Sequence, residues 1–531
     1  MDLNFLSGQL MMVGFHGVEF SEEHEELLKV IKPSGIILFK RNIVDPKQLA
    51  GLIKDFQAFA KKIGLPPLIV SIDYEGGIVV RISRGATSLP SLMAISATRR
   101  IECARIVAEI AAKELKAIGI NMNLAPVVDV NTNPVNPIIG VRSFGDDPIE
   151  VAAFSEAYIK SLQSNGVMAV AKHFPGHGDT SVDSHLDLPV LNLSLEEMVK
   201  RELIPFKAAV EAGVSSIMAA HIAYPKIDES GLPATLSKPI VGGILRGMLG
   251  FDGVVMTDAL EMKAIRDRFE PKEIVALALN AGVDLLLPAS DYDLMIELKD
   301  EIIKGVEAGR IDKHRLIESY ARIESLRREF GLYSYRFDPA ALSVVGCNSH
   351  RKAVLEIAVS SITVVKDEGL LPLSGGLGRL GIAVPDKLAG RLGAEHGGIE
   401  VLLNSIFSGK CEELSVQIYS VDPSREEVEG LLGDLEFCDA IIVFTYNALL
   451  NPGQIELVNR VDKLGNAVIV ASRDPYDVKA FPQVKCFIAT YGITLPQLEA
   501  LVRILFGELQ AGGRLPVNID DVFARVPLVG G

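Results

Sequence analysis

The stretch VMAVAKHFPGHGDTSVDSH, Val167–His185, decides the fold, because an apolar run ends abruptly in polar groups and opens into a long loop. Its first half, VMAVA, shows no alternation of apolar and polar residues and predicts a strand buried on both faces. Lys172 and His173 stand at the end of that run. The loop that follows gathers two further histidines, His177 and His185, with Asp179 and Asp183.

The same pattern recurs along the chain. GIILF from Gly35, PLIVSID ending at Asp73, INMNLAPVVDV ending at Val130, SSIMAAH ending at His221, GVVMTD ending at Asp258 and DLLLP ending at Pro288 are short apolar runs separated by amphipathic segments. Continuous apolar strands alternating with helices predict a parallel sheet covered on both sides. Seven such strands in roughly 300 residues, with MMVGF near Met11 as an eighth, fit a (β/α)8 barrel. Polar residues end five of the strands: Asp73, Asp129, Lys172 with His173, His221, and Asp258. An open doubly wound sheet collects such residues around one switch point, whereas a closed barrel brings all its strand ends together.

The charged helical stretch IDKHRLIESYARIESLRREFGL, Ile311–Leu332, followed by YSYRFDPA, reads as a closing helix and a linker. The expected division is therefore a barrel unit over 1–335 and a second unit over 336–531. In the second unit LSVVG at Leu342, SSITVVKDEGLLPL, RLGIAVP, ELSVQIYS, CDAIIVFTYN, NAVIVAS and CFIATYG alternate with helical segments, which predicts an α/β open sheet.

Charge narrows the choice of partners. The formal net charge is -15, from 53 basic and 68 acidic residues, and an acidic surface repels nucleic acid and anionic membrane alike. No apolar run approaches the roughly 20 residues of a membrane span. The opening MDLNFLSGQLMMVGFHG lacks a basic n-region and a processing site, so a cytoplasmic location is expected. The five cysteines are scattered without CxxC spacing, and most read as small buried hydrophobes.

The residues of the dense loop leave several chemistries open. His173, His177, Asp179, Asp183 and His185 are all acceptable metal ligands, but Pro175 with Gly176 and Gly178 opposes the regular helix on which two histidines four apart would converge. A phosphate loop is disfavoured because Lys172 precedes the glycines and no GxxxxGK[ST] run is present. The loop could also simply cap the barrel. Acid/base chemistry is the remaining reading, since a carboxylate such as Asp183 beside His185 raises the imidazole's basicity and fixes its tautomer. Such a pair requires a separate nucleophile. GFDGVVMTDALEMKAI, Gly250–Ile265, offers Asp258 at a strand end, although an aspartate there can also serve as a helix cap.

These residues sit within a wider set of motifs: IDYEGG at Ile72, NLAPVVDV at Asn123, IGVRSFGDDP at Ile139, KHFPGHGDTSVDSHLDLP at Lys172, PATLS at Pro233 and GFDGVVMTDALEM at Gly250. Together they resemble the family three glycoside hydrolases, in particular the β-N-acetylglucosaminidase (β-N-acetylhexosaminidase) branch. AVSSITVVKDEGLLPL at Ala358 and FGELQAGGRLPV at Phe506 extend the resemblance into the second unit. It implies a TIM-like (β/α)8 barrel followed by an α/β sandwich domain.

The resemblance implies a retaining exo-acting β-N-acetylhexosaminidase that releases N-acetylglucosamine from cell-wall or chitin-derived saccharides, muropeptides among them. Asp258 would be the nucleophile, and His185, with Asp183 as its partner, the general acid and base. Asp73, Arg81, Arg142, Lys172 and His173 would bind the sugar. No cofactor or metal is implied, nor any nucleic-acid or membrane partner, and monomer and homo-oligomer stay equally open. Phosphorolysis at the same site, a β-glucosidase and a non-catalytic glycan-binding protein are the alternatives. One departure concerns the third strand end, where the family commonly has DQEGG and this chain has Tyr74 within DYEGG, followed by Ile78. That change bears on aglycone preference.

Overall fold

The structure is a computed structural model that describes residues 2–184, 186–374, 376–520, 525 and 528, with the side chains of 395 and 396 outside the description. Eight parallel strands form the first sheet in chain order: Met12–Val13, Gly35–Leu38, Ile69–Ile72, Met122–Asn123, Met168–Phe174, Ser216–Ala219, Val254–Ala259 and Leu285–Leu287. The sheet curls back on itself. Met11 bridges Leu286 in parallel, Leu286 N donates to Leu10 O at 2.8 Å and Gly14 N donates to Pro288 O at 3.1 Å, joining the last strand to the first. The strand and helix pattern therefore resolves as a near-closed TIM-like barrel.

The surrounding helices start where local chemistry stops a strand-to-helix loop. Asp45 accepts from Gln48 N at 2.8 Å ahead of the helix Pro46–Lys62, and Asp147 accepts from Ile149 N and Glu150 N at 2.9 Å ahead of Pro148–Ser164. In both, a proline follows the capping aspartate at the first helical position, where its missing N–H costs nothing.

Inside the barrel, Met12, Met122, Met168, Met218 and Met256 pack with Ile37, Ile69, Val170, Val254 and Leu285. Unbranched methionines fill the irregular spaces between tilted strands. The floor is a plug of Ile323, Leu326 and Leu332, which come from the charged helix Lys313–Glu329 and the residues after it. That helix also sends in Arg327, fully buried, whose guanidinium donates to Gln9 Oε1 at 2.8 Å, Ser34 O at 3.1 Å and Pro67 O at 3.0 Å. Ser34 and Pro67 lie just before the second and third strands, so one side chain gathers the starts of neighbouring strands.

Two expected strands differ from the pattern. INMNLAPVVDV is regular strand only over Met122–Asn123, because Pro126 has no N–H for a ladder; beyond it the chain keeps single bonds to the fifth strand, Val170 N to Ala125 O at 3.0 Å and Val128 N to Lys172 O at 2.8 Å, with Val127 bridging Lys172. LSVVG forms no strand: its first three residues end the 3-10 segment Pro339–Val344, which Asp338 caps by accepting from Ala340 N at 2.9 Å.

The second sheet has six strands in the order Thr363–Asp367, Cys486–Ala489, Ala467–Ala471, Ala440–Thr445, Leu377–Pro385, Cys411–Tyr419. All neighbours run parallel except Thr363–Asp367, which is antiparallel to Cys486–Ala489. One face packs a cluster that includes Tyr476, Phe481 and Tyr491, and Met93, Ala94, Ala97 and Val141 of the barrel unit belong to that same cluster. The two units therefore share a core.

Arg327→Ala strips Gln9 Oε1 and Pro67 O of their guanidinium donors, each loss costing about 1 kcal/mol or more, while Ser34 O keeps the Ile69 N–H at 3.0 Å. Urea unfolding of this variant is expected to show a loss of roughly 2 kcal/mol or more, and an unchanged midpoint would refute the clamp.

Candidate active site

At the C-terminal ends of the strands, a charged cluster is assembled from distant segments. Asp73 follows the third strand, and Tyr74–Gly76 with Val79–Val80 forms a small hairpin that brings Glu75 and Arg81 over the barrel mouth. Lys172 comes from the fifth strand and lies between two carboxylates, with Nζ 2.8 Å from Asp73 Oδ1 and 2.7 Å from Glu75 Oε1. Arg142 makes a bidentate pair with Glu75, Nε to Oε2 and Nη2 to Oε1 both at 2.9 Å, and donates from Nη1 to Ile138 O at 3.0 Å. Arg81 Nη2 reaches Asp73 Oδ2 at 3.2 Å, while its buried Nε has no acceptor among the described residues.

The energetics of this cluster follow from burial. Glu75 and Lys172 are 1% and 2% exposed, so neither charge is sustained by water. Burial alone would raise the Glu75 carboxyl, but Arg142 and Lys172 outweigh it and hold it well below the usual carboxylate range. Asp73 is held low in the same way by Lys172 and Arg81 against the opposing effect of burial. Burial opposes the charge on Lys172, and Asp73 and Glu75 overcome it, so its ammonium is held more firmly than usual.

His173 is oriented by Asp129. Asp129 Oδ2 lies 2.8 Å from His173 Nδ1, and Oδ1 accepts the backbone N–H of His173 at 3.1 Å and of His177 at 2.7 Å. Because the carboxylate can only accept, Nδ1 carries a proton, and Nε2 lies 3.4 Å from Arg142 Nη2.

Asp258 is the second-last residue of the seventh strand and keeps partial exposure at the mouth. Its Oδ1 accepts from Ala259 N at 2.7 Å. Burial would raise this carboxyl, but His221, His173 and Lys172 nearby, with the Ala259 N–H, hold it below the ordinary range. His221 is fixed between Thr235 Oγ1 at 2.8 Å and Ala259 O at 3.2 Å, so it packs against the backbone that carries Asp258. An ionised carboxylate at a strand end, backed by cations and an imidazole, can act as a nucleophile or stabilise a cationic transition state.

The model for the glycosyl hydrolase family 3 N-terminal domain matches residues 4–326. β-Hexosaminidase A from Pseudoalteromonas piscicida is 31% identical over 94% of this chain and 91% of its own length. A β-N-acetylglucosaminidase/β-glucosidase from Cellulomonas fimi is 29% identical, covering 85% of this chain and 84% of that protein. Among solved structures, a family 3 β-N-acetylglucosaminidase from a Paenibacillus species superposes with a TM-score of 0.90 at 35% identity, over 98% of this chain and 99% of that one. The chain belongs to glycosyl hydrolase family 3. It is a glycoside hydrolase.

In this family 3 barrel the structure brings Asp73, Arg81, Arg142, Lys172 and His173 into one connected cluster, with Asp258 on the same face. Asp183 begins a turn in which Leu186 N and Asp187 N donate to its carbonyl at 2.9 and 3.2 Å. His185 lies outside the described residues. Glu75 was not singled out in the sequence, although its place in DYEGG, two residues after Asp73, was the available signal. Asp129 was legible as a strand end but not as the partner of His173.

The loop before Asp183 is held by its own polar groups. His177 Nδ1 lies 2.8 Å from Thr180 Oγ1 and Nε2 3.0 Å from Ser184 Oγ, while Asp179 accepts from Thr132 Oγ1 at 3.1 Å and Arg201 Nη2 at 2.7 Å. Gly178 has to be glycine, since a Cβ there would sit 1.8 Å from Val130 O. His177 and Asp179 thus shape the loop. Among the described residues, no group of three His, Cys, Asp or Glu side chains is placed to hold a metal ion.

Burial, with His173 beside it, holds the His177 imidazole down to about 4 from its ordinary 6.5. Above pH 6.5 the ring is neutral in both the folded and unfolded chain. Below that, the unfolded chain takes up the proton first, so stability falls as the pH drops toward 4, by roughly 3 kcal/mol for a shift of this size. His177→Asn is expected to lose less stability than the parent between pH 6.5 and 4 in urea titrations. Parallel losses in the two proteins would refute the neutral, loop-bracing histidine.

Proposed function

We propose that Asp258 is the nucleophile of a retaining exo-β-N-acetylhexosaminidase that removes terminal N-acetylglucosamine from cell-wall or chitin-derived saccharides. The observation that carries this reading is the partly exposed Asp258 carboxylate at the barrel mouth, on the same face as the Asp73–Lys172–Glu75–Arg142 cluster. The hexosaminidase and N-acetylglucosaminidase activities named for the Pseudoalteromonas and Paenibacillus proteins support the choice of sugar.

In the first step Asp258 attacks the anomeric carbon as the bond to the leaving oxygen breaks, and that oxygen takes a proton from His185. In the second, His185 removes a proton from water, which attacks the anomeric carbon and releases Asp258. Asp183 supports the imidazole in both steps. The use of His185 in place of a second carboxyl group sets this assignment apart from the usual carboxylate pair of retaining enzymes.

The cluster around Asp73 is the proposed sugar site. Asp73 offers acceptors to hydroxyls, Arg81 Nε is a buried donor with no acceptor among the described residues, and Lys172 and Arg142 supply fixed positive charge. His173 completes the wall beside Arg142. We also place the division of the chain at 335/336, where the linker leaves the helix Lys313–Glu329.

Asp258→Ala is expected to lower kcat on an aryl N-acetyl-β-glucosaminide by about a thousandfold or more with an unchanged unfolding midpoint. Full turnover by the variant would overturn the assignment. A parallel aryl β-glucoside, each substrate run with and without phosphate, reads the sugar preference and the acceptor in the same experiment.

A further inference from the structure

Arg142 lies at the end of a loop, residues 131–142, which is anchored on one side by the barrel's own loop, where Asn133 Nδ2 donates to Thr180 O at 3.0 Å and Asn136 Nδ2 to His177 O at 2.9 Å, and on the other by the second unit. The Asp474 carboxylate accepts the backbone N–H of Val141 at 2.9 Å. Arg473 Nη2 donates to Pro137 O at 3.2 Å, and Asn131 Nδ2 donates to Tyr476 Oη at 3.1 Å. Asn131 Oδ1 in turn accepts from Gly140 N at 3.0 Å, so the two ends of the loop are tied to each other and to the same four-residue segment, Arg473–Tyr476.

This contact is built tightly. Asp474 and Tyr476 are 4% and 2% exposed, and Val141 is fully buried in the shared core. Gly140 has φ +46°, and a Cβ there would stand 2.3 Å from Asp474 Oδ1, so the close approach of this carboxylate requires glycine in the loop. The segment is held from behind by Asp477, which accepts from Thr445 Oγ1 and Ala448 N, both at 2.7 Å. Val141 N–H takes a single oxygen of the Asp474 carboxylate, an acceptor that an asparagine amide can also offer.

The far side of the loop delivers Arg142 to the site. Its guanidinium bonds the loop's own Ile138 O, both oxygens of Glu75, and faces His173 Nε2. A shift of the loop therefore moves the cation that orients Glu75, and with it Lys172. We infer that Arg473–Tyr476, with Asp474 at its centre, positions Arg142 for the sugar site, so that the second unit forms part of the active-site framework. This inference rests on the glycosidase reading given above for its kinetic consequence, but not for its structural one.

The test is a cycle in the full chain, with Asp474→Ala, Asp474→Asn, Arg142→Ala and the Asp474→Ala/Arg142→Ala pair assayed on an aryl N-acetyl-β-glucosaminide. Asp474→Ala is expected to lower kcat/KM by about tenfold or more, because misplacing a site residue by a fraction of an ångström is costly. Asp474→Asn, which keeps the acceptor, stays within about threefold of the parent, and Asp474→Ala adds less than about twofold on the Arg142→Ala background. Amide hydrogen exchange over residues 131–142 accelerates in Asp474→Ala and not in Asp474→Asn. Effects of the two alanine substitutions that multiply, or loop exchange unaltered by Asp474→Ala, would overturn the positioning role. If the parent leaves the N-acetylglucosaminide intact, the substrate reading fails and exchange alone decides the positioning. Should Asp474→Ala not fold, Tyr476→Phe, which removes only the hydroxyl that receives the Asn131 amide, takes its place in the same cycle.

Discussion

The interaction on which the site depends is the alternation of charge at the barrel mouth, Asp73–Lys172–Glu75–Arg142. Removing an ion from water costs several kcal/mol, and a buried pair offsets that only with good geometry and no donor or acceptor left over. Here Glu75 receives both arms of the Arg142 fork as well as the Lys172 ammonium, and Lys172 is shared between two carboxylates. The arrangement is rigid for that reason, since displacing any member strands its neighbours. It also keeps Asp73 ionised, as the nearby histidines and Lys172 keep Asp258 ionised.

Much of the remaining architecture serves to fix where this cluster stands. Arg327 gathers the starts of the second and third strands at the floor, the latter being the strand that Asp73 follows. Asp129 holds the backbone at both His173 and His177, so a single carboxylate orients the His173 ring and launches the loop toward Asp183. His177 stays neutral and braces Thr180 and Ser184 within that loop. Stability at one end of the barrel and chemistry at the other are thus carried by different residues, in keeping with the usual division of labour in this architecture.

The barrel was legible because its strands are buried on both faces and end in polar groups, a pattern that needs no long-range information. Asp73, Lys172, His173 and Asp258 were found by their position at those ends, and the structure adds that Lys172 pairs with Asp73. What was hidden depends on contacts between distant segments. INMNLAPVVDV looks like one strand because apolarity does not reveal that Pro126 interrupts the ladder, and LSVVG looks like a strand because a five-residue apolar run carries no sign of the turn that Asp338 caps. The bond between Asp474 and Val141 spans 333 positions in the chain, and nothing in either local sequence marks it. The local residues put Asp183 and His185 forward as an acid/base pair among other readings, and only the resemblance singled it out, since a carboxylate two residues from a histidine is common in any loop.

The central claim is that Asp258 becomes covalently bonded to the sugar. The most direct measurement is mass spectrometry of peptides from the full chain after incubation with a fluorinated N-acetylglucosaminide that forms the glycosyl-enzyme faster than it is released. The expected result is one added sugar on the peptide containing Asp258. A sugar found on another carboxylate, or an unlabelled chain that nonetheless turns the substrate over with retention, would contradict it.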